Sequence, residues 1–176
     1  MDLIKKYSIF LIAVFIIILA FLWDKELGSN AIETVKFSTV EMLLVLPPVF
    51  ILLGLLDVWV PRDTMVKYMG ENSGFKGALL AFIIGSSAAG PLYVVFPIAA
   101  AFMKKDVRFY NILILIGAWS TTKIPMLLFE FSALGGQFMF TRLLMNIPIV
   151  IIMALVMDKA FKQNQVEAIY NLAKSN

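Results

Sequence analysis

The chain is 176 residues long, 61% apolar and only 15% charged, with a formal charge of +3, and its mean hydropathy is +0.89. That balance excludes an ordinary soluble domain and predicts an all-α integral membrane protein. The chain has neither Cys nor His, which excludes disulfides, thiolate chemistry and histidine catalysis; its basic residues punctuate apolar runs, as membrane topology requires, instead of forming a nucleic-acid surface.

Four to five membrane segments are expected, one or two of them broken or re-entrant, with residues 1–157 as a single membrane domain and 158–176 as an amphipathic tail. Lys5 and Lys6 precede the apolar run Tyr7 to Trp23. WDKE follows it in place of small residues, so this run reads as an uncleaved anchor helix. Asp24 to Ser38 is predicted to be a polar connection, with Gly28-Ser29-Asn30 as its turn. A second span, from about Val40 to Val60, holds Pro47 and Pro48, which should kink it, and Asp57 near its far end. Asp57 reads either as an interfacial carboxylate or as the partner of a buried charge. Arg62 to Gly74 mixes apolar and charged residues and predicts a short interfacial helix.

Two long apolar segments follow, each interrupted in its middle. In GALLAFIIGSSAAGPLYVVFPIAAAFM the break lies at Gly85 to Pro91, and the halves Gly77 to Ser87 and Pro91 to Met103 are each too short to span alone. Together they form either one kinked span or a hairpin that enters and leaves on the same side. The hairpin places eleven basic residues on one face against three on the other, whereas five full spans give six and eight. The positive-inside rule therefore favours a re-entrant hairpin with cytoplasmic termini in the plasma membrane.

The second interrupted segment, FYNILILIGAWSTTKIPMLLFEFSAL, breaks at Gly117 to Pro125 and carries Lys123 in its middle. A lysine at that depth costs a few kcal/mol even on the mildest insertion scale, so it points to a cavity, a pathway or a buried partner. Glu130 and Asp57 are its candidate partners. Gly135-Gly136-Gln137 is a turn, and Phe138 to Met157 is the last span, with Asn146 placed to pair with a neighbouring helix. In the tail, Val166, Ile169, Tyr170 and Ala173 recur at helical spacing.

Broken helices at membrane depth expose backbone groups that only protein or a water-filled cavity can satisfy. A pair of them is the sequence pointer to a transport site. The expected solute site comprises Ser86, Ser87, Gly90 and Pro91 from the first break and Ser120, Thr121, Thr122, Lys123 and Pro125 from the second. Its amide donors, hydroxyls and ammonium favour an anionic or polarised solute. No metal or cofactor is expected, no nucleotide fingerprint is present, and no nucleophile–base pair argues for an enzyme. A small-residue packing interface would serve a non-transporting scaffold equally well at the first break. Lys123 discriminates between the two, since a scaffold needs no charge there.

GALLAFIIGSSAAGPLYVVFPIAAAFMKKD followed by ILIGAWSTTKIPMLLFE has a Gly/Ser-rich break, a proline, a basic turn and a second break ending in proline. In this order of features Met42 to Phe161 resembles the predicted-permease family that includes the ArsP organoarsenical permeases and the YraQ-type permeases. The resemblance implies transport of a small solute across the cell membrane. Full-length members hold two related halves, so it also implies a dimer, with itself or with a related half. Arsenical-exporting members have cysteines near the first break where this chain has Ser86, Ser87, Ala88 and Ala89, which argues against soft trivalent arsenic as cargo.

Overall fold

The computed structural model describes residues 7–88 and 90–175, and every regular element among them is helical. Three helical stretches are long and apolar enough to cross a membrane: Lys25–Ile51, Phe109–Leu134 and Gly136–Ala160. Phe10–Trp23 and Leu92–Lys104 are shorter and also apolar. This is the all-α membrane architecture that the composition predicts. The chain divides into two compact units, Met1–Pro48 and Val49–Asn176.

In the first unit α1 (Ser8–Trp23) is joined to α2 (Lys25–Trp59) by Asp24 alone. The polar connection expected over Asp24 to Ser38 is helix instead. Asp24 Oδ1 accepts from the Glu26 amide at 2.8 Å and caps the new helix. Gly28, expected at a turn, is buried against Phe21, whose backbone a Cβ would strike. Its role is close approach, and α2 therefore runs on. It also continues through Pro47 and Pro48, after which the second unit begins. Lys5, Lys6 and the side chain of Asp57 lie outside the described residues.

The second unit contains α3 (Arg62–Met69), a 3-10 turn at Glu71–Ser73, α4 (Gly74–Ser87), a 3-10 turn at Leu92–Val94, α5 (Val95–Lys104), α6 (Phe109–Thr121), α7 (Ile124–Leu134), α8 (Gly136–Ala160) and α9 (Gln163–Ser175). Helices α4 and α6 lie side by side and point the same way. At their starts, the buried Asn111 donates Nδ2 to Met69 O at 2.8 Å and to Ser73 Oγ at 3.0 Å. Near their ends Gly85 meets Leu115, Ala118 and Trp119; a Cβ there would stand 2.5 Å from Leu115 O. Helix α5 returns from the end of α4 to the start of α6, so α4 and α5 form a hairpin. The Arg108 amide closes its base by donating to Met69 O at 2.9 Å.

Helix α8 runs antiparallel to α6 and α7. Gly117 of α6 packs on Val150, and Asp158 at the end of α8 reaches Arg108 at 3.5 Å. Val94, Val95, Phe102, Val107, Ile112, Ile114 and Leu115 form the core. Outward residues of α8 such as Leu144, Ile152 and Val156 stay exposed, as lipid-facing residues would. The tail boundary expected at residue 158 falls inside α8, which ends at Ala160. In α9, Val166, Ile169, Tyr170 and Ala173 are the half-buried stripe on an otherwise exposed helix, and α9 packs against α5.

Candidate functional site

The first break is made by backbone geometry. Helix α4 stops where Ala88 turns extended, Gly90 takes φ +118, open to a residue without Cβ, and Pro91 is extended again. Pro91, expected as the start of the second half, does not open the returning helix directly. Leu92–Val94 first make a 3-10 turn, and α5 begins at Val95. The second break narrows to Thr122 and Lys123, between the end of α6 and the start of α7. Pro125 falls in the first turn of α7, where its missing donor would have no helical acceptor anyway.

The two breaks meet. Lys123 Nζ donates to Gly90 O at 2.8 Å, and Ser86 Oγ lies 2.8 Å from Thr122 Oγ1. Because the buried Thr122 hydroxyl donates to Ala118 O at 3.0 Å, Ser86 is the donor in the pair. Ser120 and Thr121 both turn their hydroxyls back to Gly117 O, at 2.8 and 2.9 Å. These hydroxyls bond back to carbonyls of the preceding turn of their own helix. Ser87 and Ser120 are exposed, while Ser86, Gly90, Pro91, Thr121 and Lys123 are half-buried. Ser86, Gly90, Thr122 and Lys123 are thus joined across the breaks, with an ammonium on a neutral carbonyl, while Ser87, Ser120 and Pro125 are exposed beside them.

Glu130 is not the partner of Lys123. It is ion-paired with Arg142 of α8, whose Nη2 also donates to Thr121 O at 3.1 Å. One guanidinium thereby caps the negative end of α6 and holds α7 beside it. Sequence reasoning treated Arg142 only as a marker of sidedness. The signal was there: Glu130 and Arg142 stand at similar distances on either side of the Gly135-Gly136 turn, which makes them face each other in a helical hairpin. Asn146 lies near Arg142, and both line a depression of about 310 Å³ on α8.

Glu130 Oε2, Asn111 Oδ1 and Trp119 Nε1 are buried without a hydrogen-bond partner. Among the described residues no group of His, Cys, Asp and Glu is placed to hold a metal ion.

A family model, ArsP_1, described as a predicted permease, matches residues 29–175. No curated protein and no solved structure matches the chain.

Proposed function

The chain belongs to this predicted-permease family, and on that premise we propose that it moves a small anionic or polarised solute through the place where its two helix breaks meet. A membrane permease follows from the family; the cargo class and the site are our reading. The observation that carries it is the contact of Lys123 Nζ with Gly90 O at 2.8 Å. A hydrogen bond to a charged group contributes roughly 1.5–3 kcal/mol, yet a neutral carbonyl leaves the ammonium's charge uncompensated. An anionic group entering between the breaks would take the carbonyl's place and add full charge complementarity.

The Ser86–Thr122 bond and the Lys123–Gly90 bond tie the α4–α5 hairpin to the second break. Replacing both with bonds to solute would free the hairpin tip to move against α6 and α7, which is a gating motion of one element against a fixed site. We place the end that carries Arg62, Lys104, Lys105 and Arg108 in the cytoplasm of a plasma-membrane protein. On the two-halves pattern of the family, the working unit is a dimer, of this chain with itself or with a related half. Purified protein in proteoliposomes, loaded with a panel of anions, cations and neutral solutes, tests the reading. Flux confined to anionic or strongly polarised solutes is the expected result. Flux of cations alone, or of none, contradicts it.

A further inference from the structure

We propose that the face of α8 beside Asn146 is the surface on which a second copy of this chain docks, with the two Asn146 amides pairing across the two-fold axis. This seam belongs to the dimer proposed above and rests on that reading.

Helix α8 opens at Gly136, so Asn146 stands about 15 Å along it at ~1.5 Å per residue. That is near the middle of a hydrocarbon core roughly 30 Å thick. Its side chain is half-buried and makes no hydrogen bond to any described residue. An Asn amide carries two donors and an acceptor oxygen. Lipid chains offer it nothing in return, and a polar group left unpaired in hydrocarbon is costly.

Asn146 opens into the depression of about 310 Å³ on α8, whose other walls are Phe138, Thr141, Arg142, Met145 and Ile149. Thr141 returns its hydroxyl to Gln137 O at 2.8 Å. Arg142 is held by Glu130 and by Thr121 O, yet its side chain is still 27% exposed. What the depression leaves unspent is therefore an amide and the open part of a guanidinium.

The stripe around the depression has the spacing of a helix seam. Phe138, Arg142, Met145, Ile149, Ile152 and Val156 recur at alternating steps of four and three, the heptad period that keeps one face of a helix against a partner. All but Arg142 are exposed large apolar residues. Val150, which meets Gly117 of α6, stands on another face. Leu144 and Leu155 are exposed too, on the remaining flank, so exposure alone does not select the stripe. The amide and the guanidinium do.

An occupant must bring both a donor and an acceptor to this depth. Another Asn146 does so, each amide donating to the other's oxygen, and such self-complementarity is what a two-fold interface requires. A single polar residue in an apolar seam also fixes register, because a slip leaves both amides unpaired. With the termini of both copies on one side of the membrane, the axis runs along the membrane normal and the two α8 helices pack in parallel. The seam borders the transport site as well. Arg142 at its edge holds the second break through Thr121 O and Glu130, so docking shields from lipid the cation that anchors the break.

In this chain without cysteine, single substitutions oxidised in native membranes test the seam. Met145→Cys and Ile149→Cys should form disulfide-linked dimers, and Leu144→Cys and Leu155→Cys should not. Subunit counting by single-molecule photobleaching in lipid bilayers, at graded protein-to-lipid ratios, reads the amide itself. Asn146→Leu should weaken association about tenfold, and Asn146→Gln, which keeps the amide, should weaken it less. Helical circular dichroism should be unchanged in both; should Asn146→Leu fail to fold, the cysteine pattern decides. Links that form through Leu144→Cys or Leu155→Cys instead, or full association of Asn146→Leu, overturn the seam and leave the dimer standing. A wild type that stays monomeric while it moves solute overturns the dimer together with its seam, and leaves the permease reading intact.

Discussion

Gly85 sets how closely the two breaks can approach. A Cβ at that position would lie 2.5 Å from Leu115 O and 2.9 Å from the Ala118 Cβ, both fixed parts of α6, so nothing flexible can yield. Overpacking of this kind costs about 1–3 kcal/mol. We expect Gly85→Val to lower the melting temperature in detergent by several degrees, and to weaken transport by prying Ser86 from Thr122. An unchanged melting temperature would mean that α4 and α6 are not packed at this point. Ser86→Ala, which removes one hydrogen bond, should cost only about 1 kcal/mol. Lys123 could be picked from the sequence because a charge inside an apolar run has few explanations. Its acceptor on Gly90 could not, since nothing local says that a tip thirty-three residues earlier returns to it. Glu130 was named from the sequence only as one candidate partner of Lys123, and its pairing with Arg142 was not foreseen; Lys123 is near it along the chain, whereas Arg142 is near it only after the helical hairpin closes.

Among the elements, α9 gives the clearest pH dependence. Its Tyr170 hydroxyl donates to Val107 O, and Lys174 Nζ pairs with Asp106 at 2.7 Å. Asp106, held at φ +54 in the turn before α6, is also paired with Arg62. Burial disfavours the ionised Asp106, but hydrogen bonds from Lys174 and Arg62 outweigh it and hold the carboxyl below its usual range. A depressed folded-state pKa contributes stability that is complete above the unfolded value, about 4, and is lost as pH falls through the folded value. Burial, reinforced by Glu71, Asp106 and Asp158, pushes the Tyr170 phenol upward. That contribution is complete below the ordinary tyrosine value of about 10 and is lost as pH rises through the folded one. Protection factors of the α9 amides, measured against the pH-dependent intrinsic exchange rate, should therefore hold from mildly acidic to mildly alkaline pH and fall only beyond both limits. Lys174→Ala should move the acid limit to higher pH, and an unmoved limit would show that Asp106 does not hold the helix. The amphipathic stripe of α9 was readable from spacing; its seat on α5 was not, because periodicity gives a face and not its partner. The helical run through Gly28 was missed for a similar reason. A glycine needed for contact with Phe21 and a glycine that ends a helix look alike in one dimension.

At the scale of the whole molecule, the membrane topology turns on whether the α4–α5 hairpin re-enters or crosses. The starts of α4 and α6 and the end of α5 come together around Met69, Ser73, Asp106 and Arg108. Phe75 and Lys104 are exposed near that end, and Gln137 is exposed at the start of α8, at the other. In a chain without cysteine, single cysteines at Phe75 and Lys104 should react with an impermeant thiol reagent from one side of the membrane and one at Gln137 from the opposite side. Reaction of the Phe75 and Lys104 positions from opposite sides would make α4 and α5 a crossing span. The charge distribution already favoured the hairpin, because membrane sidedness is written in lysines and arginines. The meeting of the two breaks required the folded chain. That meeting is the centre of the account, and solute flux into proteoliposomes carrying Lys123→Met, beside Lys123→Arg and the wild type, tests it most directly. We expect Lys123→Met to lose at least tenfold in flux, the equivalent of about 1.4 kcal/mol, with helical content and yield unchanged, and Lys123→Arg to retain part of it. Flux that survives Lys123→Met with unaltered solute preference would show that the cation between the breaks only holds them together and that the solute passes elsewhere.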